Sequence, residues 1–109
     1  MTDFTEDEQR ALAALVEMII PASTEFGVPS AADPEIFVEI LSDAERHRAR
    51  FSDALAALET LAREAHDAAF ADLSTEDRNG VADSFRETRS GDAGLIAAVT
   101  AQCYYRDER

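Results

Sequence analysis

The chain has no lysine and no tryptophan, and its 109 residues include only one cysteine, three prolines and four glycines. Without lysine it can form neither a Schiff base with a carbonyl substrate nor the phosphate contact of a P-loop lysine. The single cysteine, Cys103, excludes an internal disulfide. Its isolation is typical of a reducing compartment or of a fold that needs no cross-link.

Long apolar runs are also missing. No run approaches the roughly 18 residues that a membrane-spanning helix needs, and no basic segment followed by an apolar one marks a secretory signal. The sequence therefore predicts a chain without direct membrane insertion.

Positive charge is scarce, with 10 basic residues against 23 acidic ones and a formal net charge of −13. Such a chain would repel the phosphates of nucleic acids and of anionic membranes, which argues against both as partners. Two interpretations of the acidic surface remain, namely a solvated surface that resists aggregation and an acidic docking face.

The residues that are present predict an all-α fold. A hydrophobic fraction of 46% is too high for disorder, and no run of β-branched residues alternates with polar ones as in a strand. The length suits one domain. We expect a small single-domain bundle of about five helices that spans residues 1–109.

Local signals mark the helix boundaries. Side chains that cap helix N-termini occur at three places, which are Thr5 with Glu8, Asp33 with Pro34, and Ser74 with Asp77. Pro21 ends the first helix. Ser42–Asp43 either breaks the second helix or shifts its phase. Gly91 and Asp92 are expected to separate the fourth helix from the last.

Two helices differ in their apolar content. A long third helix is expected to direct inward Phe51, Leu55, Leu58, Leu61, Ala62 and Ala65, with Phe70 and Leu73 closing it. The fourth helix is the least apolar, with only Val81, Ala82 and Phe85 to bury.

Residues 22–32 form an expected loop that is long for a helix–helix connection. It contains Phe26, Val28 and Pro29, which a plain connector would not need. These apolar residues either fold back onto the core or stay exposed for a partner.

Few residues suggest catalysis or metal binding. His47 lies one helical turn after Asp43, but the arginines around it oppose a bound cation and favour a solvated face. His66 has no second ligand one turn away. Cys103 is expected to be a small buried residue rather than a nucleophile. An enzyme built on Cys103 and a distant histidine is the least favoured function.

Four segments occur along the chain in the order LVEMIIPA, GVPSA, FADLSTEDR and YYRD. Their order and spacing resemble the gluconate 2-dehydrogenase subunit 3 family, and the resemblance extends from about Glu6 to Asp107. It implies a small, cofactor-free subunit that stabilises or matures a large dehydrogenase subunit of the glucose–methanol–choline type. That large subunit would hold FAD and oxidise sugars, sugar acids or related alcohols, often together with a cytochrome subunit.

The resemblance also bears on export and on partner contacts. Many members of the family carry a twin-arginine signal, and none precedes the first helix here, so we expect a cytoplasmic complex unless the partner carries the signal. The resemblance favours partner contact for Phe26, Val28 and Pro29. The alternative function is a free-standing helical interaction protein or homo-oligomer without a dehydrogenase partner.

The C-terminal tyrosines admit two interpretations. Side chains of adjacent helical residues point about 100° apart, so a small bundle easily buries only one of Tyr104 and Tyr105. In the first interpretation Tyr104 completes the core and Tyr105 lies half-exposed. In the second, one ring anchors a partner together with Phe26 and Val28, while Arg106 and Arg109 pair with acids around it.

The charge of −13 generates a first prediction. Repulsion among the acidic side chains should lower the stability of the isolated chain at low ionic strength, and salt should screen it. The melting temperature should therefore rise as sodium chloride is added, which differential scanning fluorimetry can follow. A flat or falling melting temperature would show that surface repulsion does not limit stability.

Overall fold

The computed structural model describes residues 4–20 and 30–106, with the side chain of Arg106 excepted. Helices account for 86% of the described residues, and these residues form no strand, which confirms the all-α prediction. The α-helices are α1 Glu6–Ile19, α2 Pro34–Ala44, α3 Arg48–His66, α4 Thr75–Thr88 and α5 Ser90–Arg106. Two short 3₁₀ turns, Glu45–His47 and Phe70–Asp72, lie between them.

The three predicted helix starts are confirmed. At α1, the Thr5 hydroxyl accepts a hydrogen bond from the Glu8 N–H at 3.0 Å, and the Glu8 carboxylate accepts one from the Thr5 N–H at 2.8 Å. At α2 and α4, the Asp33 and Ser74 side chains accept hydrogen bonds from backbone N–H groups of the first turn. Each cap satisfies donors that the helix itself leaves unpaired.

The predicted break at Gly91 and Asp92 is wrong, because both residues lie inside α5, which begins at Ser90. Helix α4 ends at Thr88, with Arg89 as its C-terminal cap. Asp92 belongs in the first turn of α5, where a negative charge stabilises the positive end of the helix dipole. At Gly91 and Asp92 this stabilisation outweighs the weak helix propensity of glycine and aspartate.

Helix α3 ends sooner than predicted. Asp67 adopts the left-handed conformation, with φ of 52°, and terminates the helix after His66. Phe70 and Leu73, predicted to close this helix, lie instead in the connection to α4, and both are buried. Ala65, predicted to face inward, is exposed.

The sequence allowed two interpretations of Ser42–Asp43, namely a break in the second helix or a shift of its phase. Ser42 and Asp43 lie inside α2, which continues to Ala44 without a break. The change of direction falls just beyond, in the 3₁₀ turn Glu45–His47.

One hydrophobic core serves all five helices. Its largest fully buried side chains are Phe51, Phe70, Phe85, Leu12, Ile40, Leu55, Leu58, Ile96 and Val16. Helix α1 packs on α3 and α5, α2 packs on α5, and α3 packs along α4. As predicted, α4 buries little, contributing Val81, Ala82 and Phe85.

Asp92 links α5 to α3 and to the C-terminal cap of α4. It accepts a hydrogen bond from Arg50 of α3 at 2.9 Å and one from Arg89, the cap of α4, at 2.8 Å. The Arg50 hydrogen bond, together with that from Arg89, lowers the pKa of the Asp92 carboxyl in spite of partial burial, which would raise it.

Replacing Asp92 by Asn should lower the free energy of unfolding by about 1–2 kcal/mol at pH 7, because a neutral amide loses both charge-assisted hydrogen bonds. The folded-state pKa of Asp92 lies below its ordinary value of about 4. Its carboxylate therefore contributes stability that is complete well above pH 4 and is lost as the pH falls through the folded-state pKa.

Urea unfolding of both proteins from pH 7 down to pH 2 measures this effect. The gap between wild type and Asp92→Asn should be widest at neutral pH and should shrink below about pH 4. A gap of the same size at pH 7 and pH 2 would contradict the assignment of charge-assisted bonds to Asp92.

Candidate partner-binding surface

The two C-terminal tyrosines have different environments. Tyr104 is half-buried and packs against the core, whereas Tyr105 is 79% exposed. Their rings meet edge to face, with centroids 5.5 Å apart and an interplanar angle of 86°. Arg106, the third predicted contact, is the last residue of α5. The structure thus places one large aromatic side chain of this segment in solvent.

The other predicted contacts, Phe26, Val28, Pro29 and Arg109, lie outside the described residues. The ends of the segment that contains the first three are nevertheless defined. The Ala31 N–H donates a hydrogen bond to the Ile20 carbonyl at 2.9 Å, so the chain leaves α1 and returns towards α2 at the same point.

An apolar groove of about 320 Å³ opens between α1, α4 and α5. Its walls are formed by Leu15, Met18 and Ile19 of α1, Ala82, Phe85 and Arg86 of α4, and Ala93, Ile96 and Ala97 of α5. A mostly apolar concave surface with one charged residue is suited to the side chains of another protein or to a small apolar ligand. No local sequence pattern predicts this groove, because the residues that line it come from three separate helices.

The segment FADLSTEDR has a structural role in the described fold. Phe70 is fully buried, and its N–H donates to the Glu59 carboxylate, with both oxygens at 3.3 Å. The Arg78 guanidinium donates to the Ala71 carbonyl at 2.5 Å. These bonds fasten the connection between α3 and α4, so the phenylalanine and arginine of this segment contribute to the fold of the chain itself.

Cys103 is fully buried, as predicted for a small core residue. Its thiol donates a hydrogen bond to the Asp43 carboxylate, with sulfur and oxygen 3.3 Å apart. Sequence reasoning missed this pair because the two residues are 60 positions apart. A fully buried thiol has no access to a substrate, which argues against the hypothesis of a Cys103 nucleophile.

The two histidines lie on the surface. His47 caps α3 without a side-chain hydrogen bond, and the His66 Nδ1 lies 3.8 Å from an Asp77 carboxylate oxygen. In residues 4–20 and 30–106, no group of three or more His, Cys, Asp or Glu residues is placed to hold a metal ion. Over the same ranges, no helix combines the length and the apolar character that a membrane crossing requires.

The comparison with protein families decides the assignment. A family model described as Gluconate 2-dehydrogenase subunit 3 matches residues 6–108. The chain belongs to this family. The match confirms the resemblance found in the four sequence segments. No curated protein and no solved structure matches the chain.

Membership in the gluconate 2-dehydrogenase subunit 3 family implies an accessory subunit of a dehydrogenase complex. The matched region includes all five helices and the groove between α1, α4 and α5. An accessory subunit works through contact with another chain, so its exposed surfaces bear on its function more directly than isolated reactive side chains do.

The different burial of the tyrosines gives a prediction about stability. Tyr104→Ala should lower the free energy of unfolding by about 1–2 kcal/mol, because it removes an aromatic ring that packs against the core. Tyr105→Ala should change it by less than about 0.5 kcal/mol, because the ring is mostly in solvent. Urea unfolding of the two variants tests this, and equal losses would mean that Tyr105 also packs in the core.

Proposed function

We propose that this chain is the small, non-catalytic subunit that stabilises or matures the flavoprotein subunit of an FAD-dependent dehydrogenase. The substrates of that complex would be sugars, sugar acids or related alcohols, and the larger subunit would hold the FAD. The observation that carries this proposal is the family match over residues 6–108. A cytochrome subunit that receives the electrons would complete the assembly.

The environments of the reactive side chains are consistent with a role in binding. Cys103 is fully buried beside Asp43, and His47 and His66 lie apart from it on the surface. By contrast, Tyr105 is largely exposed, and tyrosine is enriched among residues that dominate binding energy.

Binding alone is sufficient for such a subunit to stabilise its partner. A protein that binds only the folded state of another shifts the folding equilibrium by mass action, by about 2.7 kcal/mol at a concentration 100 times the Kd. No chemical step on the small subunit is needed. The proposed function therefore requires a contact surface and sufficient affinity.

Co-expression tests the proposal directly. The chain, with an affinity tag, is produced together with a dehydrogenase subunit of the glucose–methanol–choline type from the same organism, and the purified material is analysed by light scattering and visible absorbance. We expect a 1:1 complex with flavin absorbance, whereas the chain produced alone should be colourless and contain no stoichiometric metal. The flavoprotein produced alone should show lower soluble yield or lower FAD content.

Other outcomes would contradict the proposal. Flavin or haem absorbance in the chain produced alone would mean that it holds a cofactor itself. A flavoprotein that folds equally well without the chain, combined with a stable homodimer of the chain, would instead favour a free-standing homo-oligomeric interaction protein.

A further inference from the structure

The exposed side of α5 is free of charge. No charged residue occurs from Ala93 to Tyr105, and the residues of this stretch that face solvent are Gly94, Ala98, Gln102 and Tyr105. Spacings of four, four and three residues place them on one side of the helix. We call these four residues the α5 face. On its two sides Leu95, Ala97 and Ala101 are half-buried.

The other helices differ from α5 in this respect. Each presents exposed charged side chains, including Glu6 and Glu17 on α1, Glu35 and Glu39 on α2, Asp53 and Arg63 on α3, and Asp83 and Glu87 on α4. The α5 face is therefore an exposed surface without charge in a chain of which 30% of the residues are charged. A helix that is hydrophobic around its whole circumference is usually buried on all sides, and the stretch from Ala93 to Tyr105, whose polar residues are Gln102, Thr100 and the two tyrosines, approaches that composition.

The opposite side of α5 already lies in the core, where Ile96, Val99, Thr100 and Cys103 are buried. The uncharged surface also extends beyond α5. Ala93 and Ala97 line the apolar groove, whose other walls include Met18 and Ile19. An apolar surface thus runs from the α5 face across the groove to α1.

Gly94 leaves room for close approach of a partner. A Cβ atom added there would meet no atom of the described residues within 4 Å, and the same holds at Gly80 of α4, so packing within the described part of the chain does not require glycine at either position. Glycine in a helix interior is less stable than alanine. On the α5 face, the missing side chain would let the backbone of another protein come close.

We propose that the α5 face and the adjoining groove are the surface on which the dehydrogenase subunit packs, with Tyr105 as an anchor at the end of the helix. This inference rests on the proposed function. The α5 face and most of the groove are uncharged, while Arg86 in the groove wall and Asp92 in the first turn of α5 add charge beside them. An apolar centre with a polar rim is common in protein–protein interfaces.

A second copy of this chain fits the α5 face less well. A helix of 17 residues is about 25 Å long and about 10 Å wide, so a symmetric contact between two α5 helices would bury about 250 Å² of each chain. Stable interfaces bury about 800 Å² per partner. Two chains of charge −13 would also repel each other. A larger subunit can cover the α5 face and the groove together.

Two matched substitutions test the inference. Ala98→Glu places a charge on the α5 face, and Ala56→Glu places the same charge at an exposed alanine of α3. Both variants should melt close to wild type when free, because both positions are exposed. Ala98→Glu should raise the Kd for the purified flavoprotein by about 30-fold or more, as for a typical hot-spot residue. Ala56→Glu should change it by less than about threefold.

Gln102→Arg serves as the second variant if Ala98→Glu does not fold, because it adds a charge to the same face near a helix C-terminus, where a cation is favourable.

Equal Kd values for the α5 variants and Ala56→Glu would overturn the inference and leave the proposed function intact. Failure of wild type to bind the flavoprotein would overturn both. A wild-type homodimer that Ala98→Glu dissociates, with flavoprotein binding unchanged, would assign the α5 face to a second copy and overturn the inference.

Discussion

The burial of three phenylalanines in one core is the constraint on which the rest of this structure depends. Phe51, Phe70 and Phe85 come from α3, from the connection after it and from α4, and each is almost completely removed from solvent. Helix α4 has few other apolar residues, so its position depends on Phe85 and on the connection that Phe70 and Arg78 hold in place. The groove and the exposed side of α5 are positioned by this packing.

The sequence predicted those features that depend on neighbouring residues. The caps at Thr5, Asp33 and Ser74 could be identified because donor and acceptor lie within three positions of each other. The start of α5 was misplaced because Gly91 and Asp92 have weak helix propensity, whereas in the structure Asp92 lies in the first turn and accepts hydrogen bonds from Arg89, three positions away, and from Arg50, 42 positions away. The bond from Arg50 and the Asp43–Cys103 hydrogen bond could not be predicted, since local patterns carry no information about distant pairs.

The candidate surface was predictable only in part. The absence of charge from Ala93 to Tyr105 is visible in the sequence, but the sequence does not tell which of these residues face solvent. That information comes from the packing of α5 against α1, α2, α3 and α4. The proposed contact would also give a reason for the contrast between the charged surfaces of α1 to α4 and the uncharged α5 face, because an uncharged surface avoids the desolvation of charged groups on binding.

The hydrogen bond between Ile20 and Ala31 has a consequence for the entropy cost of closing the chain between them. It joins the end of α1 to the residues just before α2, so the two ends of the intervening stretch lie at hydrogen-bonding distance. The entropy cost of bringing the ends of a chain together grows slowly with its length, by about 0.6 kcal/mol for each doubling. The bundle therefore bears a closure cost that depends little on how many residues separate Ile20 from Ala31.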